Sequence, residues 1–248
     1  SECYDECIWV DDPDYPEEPD PCEDVANWDE CYGDDGGYDQ PSGGDGEYIP
    51  FNITNQLTGK ANCVYGKLVG TALDNHNIIR QTFMDFGNGL NYDQSQLIYK
   101  QQAGLTGEDG KPINGSTGKA GSVYTVTLNS DFIDNRAPIE IAKTILHESV
   151  HAIIRRQYNV TTGGFLEYFE AYVKDKVGYS MELSHDIMRD YYIIPIANNL
   201  KQFDNNQEPF DFYENLAWEG LHQFLSANEI SAIANDINYA RGKGLDCN

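Results

Sequence analysis

An α+β fold is what this sequence predicts: a small β-sheet first, one long helix after it, and a C-terminal half that is almost entirely helical. Two short runs, Gln96 to Gln101 and Ser122 to Leu128, the second rich in β-branched residues, read as strands. Ile139 to Tyr158 then repeats apolar residues at helical spacing, and helical periods recur from there to the end of the chain.

Ahead of the first of those strands, Gly59 to Leu73 carries Ala61, Val64, Tyr65, Leu68 and Ala72 at helical spacing. Asn77 to Phe86 predicts a second, shorter helix closed by the turn Gly87-Asn88-Gly89. Gly104 to Gly121 reads as a long glycine-rich loop between the strands. In the second strand Val123, Thr125 and Thr127 alternate with Tyr124, Val126 and Leu128. Pro138 suits the first turn of the long helix, where its missing N–H would be unpaired anyway. Gly163-Gly164 breaks that helix off, and Phe165 to Lys176 follows as an amphipathic helix with Phe165, Phe169, Tyr172 and Val173 on its apolar face. Further helices are expected over Met181 to Phe203, kinked by Pro195, then Phe212 to Phe224 and Ala227 to Arg241.

Composition divides the chain into two parts. Residues 1–49 hold 18 of the 41 acidic residues and no Lys or Arg, so the formal charge of -25 splits into -18 there and -7 over residues 50–248. With that charge density and with Pro13, Pro16, Pro19 and Pro21 interrupting it, residues 1–49 are expected to be a largely disordered, acidic, Cys-containing tail or linker. Residues 50–248 are long enough to bury a core of their own. The acidic balance argues against nucleic acid or an anionic membrane surface as partner, and no apolar run approaches the length of a spanning helix. Cys3, Cys7, Cys22 and Cys31 lie in the acidic part, Cys63 and Cys247 near the two ends of the rest. The even number suggests disulfides and an extracellular or cell-surface location, with Cys63 to Cys247 as one pairing that would pin the C-terminus to the first helix.

The chemistry is expected within the long helix, at His147-Glu148-Ser149-Val150-His151. Residues four apart on a helix stand one above the other, so the two imidazoles can converge on a single metal ion. Two neutral imidazoles leave Zn²⁺ most of its charge, which lowers the pKa of a bound water toward about 7. Glu148, one residue on from His147, is placed to accept that water's proton and to return it to a leaving amine. A chain with five histidines should contain this pattern by chance in fewer than about one case in a hundred. The flanks Ile145-Leu146 and Ala152-Ile153-Ile154 set the motif on a largely buried helix, where three polar groups without a metal would be costly.

Thr144 to Ala152 resembles the active-site helix of the zincin metallopeptidases, and residues 50–248 look like an uncharacterised bacterial zincin-like domain. The resemblance implies a zinc-dependent peptidase acting on peptide or protein substrates, with Zn²⁺ as cofactor and Glu148 as the catalytic base and acid. It departs from the metzincin pattern, because Ile154 and Gln157 stand where a glycine and a third histidine belong. The third ligand must come from farther along. His185, early in a helix with Asp186 and Glu182 beside it, is the first choice. Glu170, whose separation from His151 and helical setting are similar to those of the gluzincin ligand, is the alternative, although Lys174 replaces the companion Asp of that pattern. Glu167 ranks behind Glu170; His222 reads as a helix-surface histidine or a late active-site helper, and His76, in a polar turn, needs no special role. The resemblance also implies that the strand Tyr124 to Leu128 runs along the cleft and receives substrate; an internal strand paired on both sides fits the same residues equally well. Of Tyr191, Tyr192 and Tyr213, one would donate to the oxyanion. Two other functions fit the same residues: a catalytically inactive zincin-fold binding module, or a toxin or maturation protease domain of a larger assembly.

Overall fold

The structure, a computed structural model, describes residues 52–71, 77–87, 95–107, 109–158, 165–177, 185–221, 224–244 and 247. The acidic segment over residues 1–49, with its four cysteines, lies outside the described residues.

The fold is α+β, with a small mixed sheet and a mostly helical remainder. The chain runs β1 (Ile53–Asn55), α1 (Gly59–Gly70), α2 (Ile78–Gly87), β2 (Gln96–Gln102), β3 (Gly115–Ala120), β4 (Val123–Asn129), a short α3 (Ser130–Ile133) and α4 (Pro138–Tyr158). After α4 come α5 (Phe165–Val177), α6 (His185–Met188), a π-helical turn (Arg189–Ile193), α7 (Ile194–Phe203), α8 (Phe210–Ala217) and α9 (Ala227–Gly242). The sheet order is β1-β2-β4-β3, with β1, β2 and β4 parallel and β3 antiparallel to β4. Leu97 and Tyr99 of β2 stand opposite Tyr124 and Val126 of β4, and all four are buried.

One face of this sheet rests on α4, which also meets α1, α2, α5, α7, α8 and α9. The central position explains why α4 is apolar on so many sides: Ile139, Ile141, Ile145, Leu146, Ile153 and Ile154 are all buried. Its start is fixed by Glu140, whose Oε2 accepts the N–H of Ala137 at 3.1 Å, while Ser149 Oγ lies 2.8 Å from the buried hydroxyl of Tyr99 and ties helix to sheet. A disulfide joins Cys63 of α1 to Cys247, as one of the expected pairings had it.

Two expectations are corrected, and of the two readings of the second strand one is selected. The glycine-rich stretch Gly104 to Gly121 is not all loop, since Gly115–Ala120 pairs with β4 as a strand. Its sequence, GSTGKA, lacks apolar alternation because this edge strand buries little. Consequently the strand Tyr124 to Leu128 is internal, hydrogen-bonded to β2 on one side and β3 on the other, and β3 is the edge of the sheet. The helix expected to run to Phe224 ends at Ala217, where Trp218-Glu219-Gly220 turns the chain and Gly220 takes φ +97°. At Pro195 the expected irregularity takes the form of a π turn: Ile194 donates its N–H to Arg189 O, and Pro195 has no N–H of its own to give.

Candidate metal centre

On α4 the i, i+4 row Lys143, His147, His151 and Arg155 follows one side of the helix. That spacing brings the imidazoles of His147 and His151 together with their Nε2 atoms 3.1 Å apart. A tetrahedral zinc at about 2.0–2.1 Å from each nitrogen holds two such ligands about 3.3–3.4 Å apart, so the pair is near ligating geometry. On the other side of the first ring, Nδ1 of His147 lies 2.7 Å from the hydroxyl of Tyr192, which sits in the π turn. When Nδ1 carries the proton and donates it to Tyr192, the Nε2 lone pair of His147 faces His151. Burial, reinforced by the Lys143 charge and partly offset by Glu219, pushes the His147 pKa down to about 4. Burial, then His147 and Arg155, holds His151 well below its ordinary value. Both rings are therefore neutral near pH 7, as metal ligation requires. Burial, with the Glu148 charge second, keeps the Tyr192 phenol protonated by raising its pKa well above 10.

Glu148 points from α4 toward β3. Thr117 Oγ1 lies 2.7 Å from its Oε2 and 2.9 Å from its backbone O, so the hydroxyl proton is shared between them. Burial pushes the carboxyl pKa up to about 7, against the lowering effects of the Thr117 hydrogen bond and then of Arg155 and Lys143. A carboxyl in that range can both take and return a proton at neutral pH. The close approach of β3 depends on Gly115: a Cβ there would lie 2.8 Å from Thr144 Cγ2 and 3.1 Å from Glu148 Cγ.

These groups open into a cleft of about 550 Å³ lined by His147, Glu148 and His151, by residues 112–115 ahead of and entering β3, and by Glu219, Gly220 and Leu221 after α8. Toward the N-terminal end of α4 the lining is charged, with Arg136, Lys143 and Glu219. Lys143 forms an ion pair with Glu219, and Arg136 pairs with Glu140 at 3.0 Å. Burial alone would raise the Glu219 pKa, but Lys143, then Arg241 and Arg136, outweigh it and keep the carboxylate ionised.

The structure thus brings His147, Glu148 and His151 into one cleft and leaves the expected third ligands outside it. His185 opens α6, where its ring stacks on Trp218 at 4.9 Å and its Nε2 lies 3.3 Å from Glu229. Glu170 and Glu167 are exposed on α5, whose buried face is Tyr168, Phe169 and Val173. Among the described residues no three His, Cys, Asp or Glu side chains form a group that could hold a metal ion. His222 and His76 lie outside the described residues. Of the three tyrosines, Tyr192 supports a histidine, whereas Tyr213 bonds Asp204 and the N–H of Glu208 and does not line the cleft. Thr117, Lys143, Glu219 and Gly115 went unnoticed in the sequence. Only Lys143 had a signal there, being one helical turn before His147.

Comparison with protein-family models, with curated proteins and with solved structures found no match.

Proposed function

We propose that this chain is a zinc-dependent metallopeptidase of zincin type that hydrolyses peptide bonds, with His147 and His151 as metal ligands and Glu148 as general base and acid. The observation that carries the proposal is the pair of neutral imidazoles with Nε2 atoms 3.1 Å apart, the first of them supported at Nδ1 by Tyr192. When bound, zinc supplies Lewis acidity toward a water molecule and a peptide carbonyl. Tyr192 holds the His147 ring in the tautomer whose Nε2 is free to ligate. Glu148 accepts the proton of the attacking water at its carboxylate and passes it to the nitrogen of the departing amine as the C–N bond breaks. Thr117 keeps that carboxylate in one orientation.

For the third protein ligand we propose His185, with Glu170 as the alternative. His185 would exchange its contact with Glu229 for the metal. The Cys63–Cys247 disulfide supports an oxidising, extracellular setting. A peptide or protein is the proposed substrate; nucleic acid is disfavoured by the charge of -25.

Hydrolysis of a casein-derived peptide pool by the zinc-loaded chain tests the reading. Cleavage that stops with a chelator, returns with zinc, and is lost in Glu148→Gln with zinc still bound supports it. Activity that persists in Glu148→Gln, or none in the zinc-loaded wild type, contradicts it.

A further inference from the structure

The charged end of the cleft is unusual for this chain. Acids outnumber bases 41 to 16 over the whole sequence. Yet among the described residues Arg136, Lys143 and Arg241 pair there with two carboxylates, Glu140 and Glu219, three cations to two anions, with Glu148 farther along the cleft. Lys143 and Arg136 line the cleft itself. Of the donors that an ammonium and a guanidinium carry, Glu219 takes one from Lys143 and Glu140 one from Arg136.

The backbone of β3 sets the direction in which a peptide would cross this cleft. Asn129 donates its N–H to Asn114 O, so alternate residues from Asn114 on face β4, while Gly115 and Thr117 turn their backbone groups outward. Thr117 O is already taken by Arg155 at 2.6 Å, which leaves Gly115, in the cleft lining, as the place where an extended peptide can pair. Gly115 lies against Thr144 and Glu148, and Thr117 against Glu148 and Arg155, so β3 and α4 run in the same sense. A peptide added antiparallel to β3, the more stable pairing, therefore heads from Arg155 toward Lys143 and Arg136.

We propose that Lys143 and Arg136 form a carboxylate-binding subsite, which selects peptides bearing a negative charge just C-terminal to the bond that is cut. This rests on the metallopeptidase reading above. The charge can come from an acidic side chain or from the peptide's own terminal carboxylate. Both sources present the same group to the two cations, which bind it as a charge-assisted hydrogen-bonded pair.

The test is kcat/KM of the zinc-loaded full chain on peptides that differ only at the residue after the scissile bond, Glu, Gln or Lys, each followed by further residues. A second pair ends at that residue with a free or an amidated terminus. The expected result is a preference of about tenfold for Glu over Gln, or for the free over the amidated terminus, with Lys poorest. The preference should collapse toward unity in Lys143→Met, persist in Lys143→Arg, and grow in Glu219→Gln, which serves if Lys143→Met fails to fold. Cleavage with no preference for the charge in either pair, or with Lys preferred, overturns the subsite and leaves the peptidase standing. No cleavage of any peptide overturns both.

Discussion

The hydroxyl of Tyr192 lies 2.7 Å from Nδ1 of His147, joining the π turn before Pro195 to the first histidine of the motif across 45 residues of sequence. Tyr192 is buried and His147 half-buried at the cleft, and burial keeps the phenol protonated and the imidazole neutral. Tyr192→Phe keeps the ring that packs edge-on against Phe169 and removes the hydroxyl that partners Nδ1. Zinc affinity in the variant is expected to fall about 10- to 100-fold, with a small loss of stability. Competition with a chromogenic chelator measures it, and an unchanged affinity would show that Tyr192 does not support a ligand.

Thr117→Val replaces the hydroxyl that donates to Glu148 Oε2 with a methyl of similar size. That hydrogen bond lowers the Glu148 pKa, so its loss moves the pKa upward. The base works as the carboxylate, and the acid limb of the pH profile of kcat/KM is expected to shift to higher pH in the variant. A shift in the opposite direction, or none, would separate Thr117 from the ionisation of Glu148.

Gly115→Ala places a Cβ 2.8 Å from Thr144 Cγ2, where β3 meets α4. Overpacking of this kind costs about 1–3 kcal/mol. Thr144→Ser removes the obstructing methyl but keeps the hydroxyl that bonds Glu140 O, so the double variant should regain part of the loss. Denaturant melts of the two singles and the double measure the coupling; strictly additive values would mean that the two groups do not meet.

The helices were legible in the sequence because each carries a periodic apolar face, and the motif was legible because four-residue spacing on a helix is itself geometry. β3 was not, since an edge strand of small and polar residues has no alternation to read, and without it the sequence left open whether β4 is edge or internal. Lys143 and Glu219 stand 76 residues apart, and their contact depends on the turn at Gly220 that ends α8 early. No local pattern encodes such a contact. His185 carries no such geometry in its sequence setting, because residue type and helical position fit a ligand and a partner for Trp218 and Glu229 equally well.

In metal-free protein the site should also govern acid stability. Burial depresses the His147 pKa from 6.5 to about 4 and that of His151 in the same direction, so between those values the unfolded chain binds protons that the folded chain refuses. Their contribution is complete above pH 6.5 and lost on acidification, that of His147 as pH falls toward 4. Glu148 acts oppositely, since its pKa is raised from 4.5 to about 7: its contribution is present below pH 4.5 and lost as pH rises through 7. Two histidines against one carboxyl give a net fall in stability on acidification from pH 6.5 to 4.5. In Glu148→Gln the opposing contribution is gone and the fall should be steeper. Urea titrations of chelator-treated protein across that range check both, and stability that rises on acidification would contradict the assignment.

The most direct measurement is zinc by elemental analysis, per mole of purified chain, for the wild type and for His147→Ala/His151→Ala side by side. The account predicts one zinc per chain in the wild type and none in the double variant. Zinc retained by the double variant, or absent from wild type that has been loaded and dialysed, would contradict it.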